Sequence, residues 1–144
     1  MIDRCHIGLS LAPFKVTIDG ERVQLFAKAI GETDPQFLND IVPPTFLKAI
    51  DGENNSSRLI LEMLNVDLTR ILHAEQQFDY LEPVRAGDCI TVDRRVLDIY
   101  DKRDGELEFI VIESVLSNES RAVVGRARQL VMVRNPSKRV DGCV

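Results

Sequence analysis

The chain has 144 residues, 44% of them hydrophobic, with a formal net charge of −5 and a pI near 5.0. That is enough for one domain with a real core, and it excludes global disorder. The acidic balance argues against nucleic acid or an anionic membrane as partner, because their phosphates need a basic face.

No apolar run approaches the ~20 residues of a membrane span. The start, Met1-Ile2-Asp3-Arg4-Cys5-His6, lacks the basic and apolar stretches of a signal peptide. The three cysteines, Cys5, Cys89 and Cys143, fit neither a disulfide framework nor a CxxC knuckle. Two histidines without an HxxxH pattern offer no zinc site. These features predict a cytoplasmic protein with reduced thiols and no metal.

Phe14-Lys15-Val16-Thr17-Ile18 alternates like a half-buried strand. Asp19 is suited to cap a helix carrying Val23, Phe26, Ala27 and Ile30, which Gly31 ends. Asp34-Pro35 predicts a cap and first position of a short helix through Asn39. A further helix starts near Thr45 and fades in Asp51-Gly52-Glu53-Asn54-Asn55. Ser56 or Ser57 then caps a helix with a stripe of Leu59, Ile60, Met63 and Leu64.

From Arg70 the period becomes two. Strands are predicted over about 70–81, 89–101, 106–117 and 122–134, separated by turn clusters such as Ala86-Gly87-Asp88 and Asp104-Gly105. The 106–117 strand is apolar on both faces. One face can cover a helix, and a second subunit is the simplest cover for the other. Residues 135–144 are polar and aperiodic and are expected to form a flexible tail beyond a single domain, 1–134. The pattern alone gives α+β.

Several segments in a fixed order carry a resemblance. They are Phe26-Ala27-Lys28-Ala29-Ile30-Gly31-Glu32-Thr33-Asp34-Pro35, Pro44-Thr45-Phe46-Leu47, His73-Ala74-Glu75-Gln76-Gln77-Phe78-Asp79-Tyr80 and Asp98-Ile99-Tyr100-Asp101-Lys102. Over roughly residues 8–134 the chain resembles the MaoC-like acyl dehydratase/hydratase superfamily, the R-specific hydratase 2 lineage. It is most similar to the N-terminal dehydratase domain, also found in fungal fatty-acid synthases. The resemblance implies a hot-dog fold, a curved antiparallel sheet wrapped around a central helix, assembling as a dimer. It implies interconversion of 3-hydroxyacyl and trans-2-enoyl thioesters, with no cofactor beyond the coenzyme A or acyl carrier protein that carries the substrate.

The family's catalytic motif reads G-D-x-N-P-x-H, an acid/base pair that activates water at one helix entrance. In this chain the aspartate position holds Glu32, the asparagine position Asp34 and the histidine position Phe37. Glu32 keeps a carboxylate on a longer arm; Phe37 cannot transfer a proton. The resemblance therefore leaves two readings open. In one, Glu32 is the base of a homodimeric enzyme and Asp34 or His73 supplies the second function. In the other, the chain is an acyl-binding subunit paired with a motif-complete hot dog. A thioesterase, using one carboxylate and water, is a third.

His73 and Glu75 are alternate residues and so are expected on one side of their strand, as an acid/base dyad or as a loop-orienting histidine. The element resembles the non-catalytic half of double hot dogs, which makes room for the acyl chain. Substrate contacts are expected from Phe37, Pro44, Thr45, Phe46, Glu75 and Tyr80. Free N–H groups at the helix start after Pro44 could polarise a thioester carbonyl. Arg58, Arg70, Arg85, Lys102 and Arg103 are either contacts for coenzyme A phosphates and an acidic carrier protein, or a solvated surface. There is no GxSxG. The one adjacent cysteine and histidine, Cys5-His6, sit at a terminus expected to be mobile.

Overall fold

The computed structural model describes residues 1–137, apart from the side chains of Leu38 and Asn39. In chain order it contains β1 (Phe14–Thr17), α1 (Gly20–Ala29), α2 (Pro35–Asn39), α3 (Phe46–Asp51), α4 (Ser56–Met63), β2 (Ile71–Tyr80), β3 (Cys89–Lys102), β4 (Leu107–Ser117) and β5 (Val123–Arg134). The five strands form one antiparallel sheet in the order β1-β3-β4-β5-β2. The sheet curves around α3 and α4, giving the hot-dog fold. The strands agree with the sequence periodicity to within a residue or two.

Local chemistry explains the helix boundaries. Asp19 accepts from the Glu21 N–H and opens α1; Asp34 accepts from the Gln36 N–H and opens α2, with Pro35 at its first position. The central helix is broken between α3 and α4 by a 3-10 turn, Glu53–Asn55. Asn54 and Asn55 take left-handed conformations there, at φ 61° and 53°, which asparagine tolerates better than most residues. The expected serine cap is absent. Ser56 lies inside α4, and its hydroxyl donates to the Asp51 carbonyl across the break. The buried stripe of α4 is Ile60, Leu61 and Leu64, whereas Leu59 and Met63 are exposed.

Two bulges bend the sheet. The β2–β5 register shifts between His73 and Glu75, and the β3–β4 register between Val96 and Asp98. The first has a consequence for function. His73 lies opposite Val131, which is buried on the inner face, whereas Glu75 lies opposite the outward-facing Leu130. The two side chains therefore sit on opposite faces of the sheet rather than on one side as expected, and of the two roles weighed for His73 the dyad with Glu75 is ruled out.

The core is divided. One cluster gathers Ile18, Val42, Phe46, Leu47, Val92 and Leu116; the other gathers Ile60, Leu64, Val96, Ile110, Ile112 and Val131. Ile2 belongs to the second cluster, and its N–H donates at 2.7 Å to the buried carboxylate of Glu108. Cys5 and His6 follow in a short 3-10 turn, and Gly8 and Leu9 then exchange backbone hydrogen bonds with Val96. This segment is thus held against β3, contrary to expectation. At the other end Asn135 donates to Glu108 at 2.7 Å and to the Gly105 carbonyl at 2.9 Å. The rest of the expected tail, from residue 138, lies outside the described residues.

Candidate functional site

α2, the start of α3 and the β2–β3 connection flank an open apolar cavity of about 330 Å³. Phe37, Ile41, Pro44, Leu47, Tyr80 and Leu81 are among its walls. Phe37 is half-buried and faces this space; Tyr80 stacks on Phe78 with ring centres 5.8 Å apart. Burial raises the Tyr80 phenol above its ordinary value, so it stays a neutral donor near pH 7.

The two carboxylates of the motif segment are engaged locally. Glu32 accepts from the N–H groups of Thr33 and Asp34, each at 3.0 Å. Asp34 accepts from the Gln36 N–H at 3.1 Å. Both hold the turn that carries Phe37 into the cavity wall. Pro44 also lines the cavity. Thr45 is exposed and is not one of the lining residues. Phe46 is in the core at 2% exposure, edge-on to Phe26 and beneath the Arg22 guanidinium. The N–H groups of Phe46 and Leu47 bond the Pro43 and Pro44 carbonyls, so they are not free to polarise a thioester.

Glu75 lines a separate hollow on the outer face with Asp98, Tyr100 and Arg128, and accepts from the Gln77 amide. The basic residues do not converge. Arg58 pairs with Glu62, Arg70 with Asp67 and Arg85 with Asp40, while Lys102 lies over the Phe109 ring. They form a dispersed, partly paired surface.

His73 belongs to a polar cluster that the sequence reading missed. The buried Arg94 guanidinium donates to the Asp51 carbonyl, the Ser56 and Ser57 hydroxyls and the Gln129 carbonyl oxygen, at 2.8–3.2 Å. The Asp51 carboxylate, 1% exposed, accepts from Ser114 at 3.2 Å and Lys48 at 3.4 Å. Lys48 also reaches the Gln129 oxygen at 3.1 Å. With that oxygen held by two cations, the Gln129 nitrogen must face His73, whose Nε2 is 2.6 Å away. His73 Nε2 is then the acceptor, and its proton sits on Nδ1. Burial, then the charges of Lys48 and Arg94, push the imidazole below its ordinary value, with Asp51 opposing. His73 is therefore neutral near pH 7, and it neither lines the cavity nor bonds Glu32 or Asp34.

A signal for this cluster was present. Arg94 shares the inward parity of Ile90, Val92 and Val96. Ser114 shares that of Ile112 and Leu116, and Gln129 that of Ala127 and Val131. Three polar residues on core parity in neighbouring strands predict a buried network.

The family model for the FAS1-like dehydratase domain region matches residues 5–126. The chain belongs to this family. A UPF0336 protein of Streptomyces avermitilis is 33% identical over 103 residues, covering 63% of this chain and 69% of the relative. Among solved structures, the C-terminally truncated HadBC (3R-hydroxyacyl-ACP dehydratase) complex of Mycobacterium tuberculosis superposes with a TM-score of 0.74. It is 20% identical and covers 88% of this chain and 96% of its counterpart. The R-hydratase PhaJ1 of Pseudomonas aeruginosa gives 0.65 at 19% identity, covering 90% and 83%. The fold of this FAS1-like domain is thus that of the MaoC-like dehydratases and hydratases.

Proposed function

We propose that this chain is the acyl-thioester-binding subunit of a hydro-lyase that interconverts 3-hydroxyacyl and trans-2-enoyl thioesters. A second hot-dog chain supplies the complete acid/base pair. The observation that carries this reading is at position 37. Where the motif needs a proton-transferring imidazole, Phe37 adds an apolar ring to the cavity wall. The neighbouring carboxylates support it, because Glu32 and Asp34 are engaged in capping their own turns. General acid/base catalysis contributes about 100- to 10,000-fold, so losing a group of the pair is decisive.

β2 is the natural seam for the partner. It is an edge strand of ten residues, and Leu72, Tyr80 and neighbouring Leu81 are about half exposed along it. An exposed edge of that length invites strand pairing. HadBC, in which a chain shares this fold, is itself a complex. A self-sufficient enzyme using Glu32 would need a second proton-transfer group, and His73 is committed to Gln129. The substrate carrier is coenzyme A or acyl carrier protein, and the reaction requires no further cofactor.

The test is direct. Pure protein is mixed with crotonyl-coenzyme A and the enoyl absorbance followed, alongside a binding titration. Binding without hydration is the expected result. Full hydration by this chain alone, abolished by Glu32→Ala, would overturn the reading.

A further inference from the structure

We infer that the polar cluster around Arg94 is a stop wall that limits the site to medium-chain acyl thioesters. The inference rests on the acyl-binding function proposed above and concerns the inner end of the same site.

The order of side chains along the inner face of β2 is the starting point. Tyr80 lines the cavity, and Phe78 comes next, stacked on Tyr80 and packed against the first core cluster. Gln76 and His73 follow. On the neighbouring strand, Gly125 lies opposite Tyr80, Ala127 opposite Phe78 and Gln129 opposite Gln76. The surface changes from aromatic rings beside small residues to amides and an imidazole within two inward steps. α3 changes in parallel. Leu47 lines the cavity, and the next residue, Lys48, already reaches Gln129.

A close contact sets the route. A Cβ on Gly125 would stand 2.9 Å from Leu47 Cδ1, so α3 rests directly on β5 at that point. An alkyl chain entering from the cavity is therefore confined to the β2 side of α3, and that side leads to Gln76, Lys48 and His73.

The wall is rigid because its members restrain one another. The Gln129 oxygen is held by Lys48 and Arg94, the Asp51 carboxylate by Lys48 and Ser114, and Arg94 by the carbonyl and hydroxyls at the helix break. Methylenes pushed against Lys48 and His73 would strip them of water and offer no partner in return. From Tyr80 to Gln76 the strand advances about 13 Å at its rise of ~3.3 Å per residue. An extended alkyl chain advances about 1.3 Å per carbon, given bonds of about 1.5 Å, so about ten carbons fit before the wall.

The experiment measures binding of acyl-coenzyme A esters from butyryl to palmitoyl, below their micelle concentrations, by calorimetry. The native chain and the Lys48→Met and Lys48→Met/His73→Leu variants are compared. Each accommodated methylene contributes up to roughly four-fold in affinity. Affinity of the native chain should rise to about decanoyl and then level off. The ratio of palmitoyl to butyryl affinity should be at least about ten-fold higher in the double variant than in the native chain. The single variant should move in the same direction, which guards against a double variant that fails to fold. A native affinity that keeps climbing to palmitoyl, or a ceiling that folded variants leave in place, would refute the wall while leaving acyl binding intact. No binding at any length would instead refute the acyl-binding function, and the wall with it.

Discussion

The side-chain nitrogens of His73 and Gln129, both Nε2, lie 2.6 Å apart, and this contact exists only for an unprotonated His73 Nε2. Protonation would place donor against donor, with Lys48 and Arg94 nearby and Asp51 as the counter-charge. The folded-state value of His73 is below the ordinary 6.5. Between the two values the unfolded chain binds more protons than the folded one, so stability rises with pH there. The contribution is complete above about 6.5 and declines as pH falls through the folded value. Melting temperatures from pH 7.5 to pH 4.5 should fall more steeply for the native chain than for His73→Gln. Equal slopes would show that His73 does not titrate against the cluster. A proton NMR titration of the imidazole gives an independent measurement.

Gly125 provides a packing test. Alanine there would bring its Cβ to 2.9 Å from Leu47 Cδ1 and 3.2 Å from the Asp79 carbonyl oxygen. Overpacking of this kind costs about 1–3 kcal/mol. Gly125→Ala should lower stability to denaturant by that order, and Leu47→Val in the same chain should recover part of it. A neutral Gly125→Ala would mean that α3 can lift off β5, which would also open the route assigned to the acyl chain.

The network itself predicts coupling. Among the described residues Arg94 has no carboxylate in direct contact, and its compensation comes from the Asp51 carbonyl, the nearby Asp51 charge and neutral oxygens. Arg94→Met removes its hydrogen bonds, although Lys48 still holds the Gln129 oxygen and Ser56 the Asp51 carbonyl, and should cost about 1–3 kcal/mol. Asp51→Asn leaves Arg94 and Lys48 without a counter-charge and should cost about 1–3 kcal/mol. Because both belong to one cluster, the double variant should lose less than the sum by at least about 0.5 kcal/mol. Additive losses in urea unfolding would show that the helix break does not depend on the pair.

Strand and helix positions were legible because period-two and helical patterns follow directly from which face is buried. The caps at Asp19 and Asp34 were legible because a short acceptor before a helix has one common use. The bulge at His73–Glu75 was not. An inserted residue leaves the local sequence alternating while moving one side chain to the other face. Thr45 and Phe46 were expected beside the substrate, yet Thr45 lies outside the cavity lining and Phe46 is in the core. A helix start announces free N–H groups, but whether preceding carbonyls take them depends on a turn that no spacing encodes. The Arg94 cluster was legible in principle, since inward parity is a sequence property. What binds the polar residues to one another is known only once strand neighbours and register are known.

The motif segment gives the most informative prediction for chemistry. Combining Glu32→Asp with Phe37→His rebuilds the family's acid/base pair at its usual spacing. Phe37 faces an open cavity, so an imidazole there is not forced into the close-packed core, which limits the packing cost. An aspartate at 32 can still accept from the Asp34 N–H, as Asp34 does from Gln36, and its shorter arm holds the second oxygen nearer the family's position for water. An imidazole near neutral pH can exchange the proton that phenylalanine cannot. General acid/base assistance is worth about 100- to 10,000-fold, and water needs both contacts at once. The double variant should therefore gain hydration of crotonyl-coenzyme A over the native chain, and more than either single variant. Single-turnover loss of enoyl absorbance, with circular dichroism to confirm folding, measures it. If a folded double variant binds thioester but shows no gain, position 37 is not what disables this site. The missing element would then be geometry supplied across β2 by the second chain.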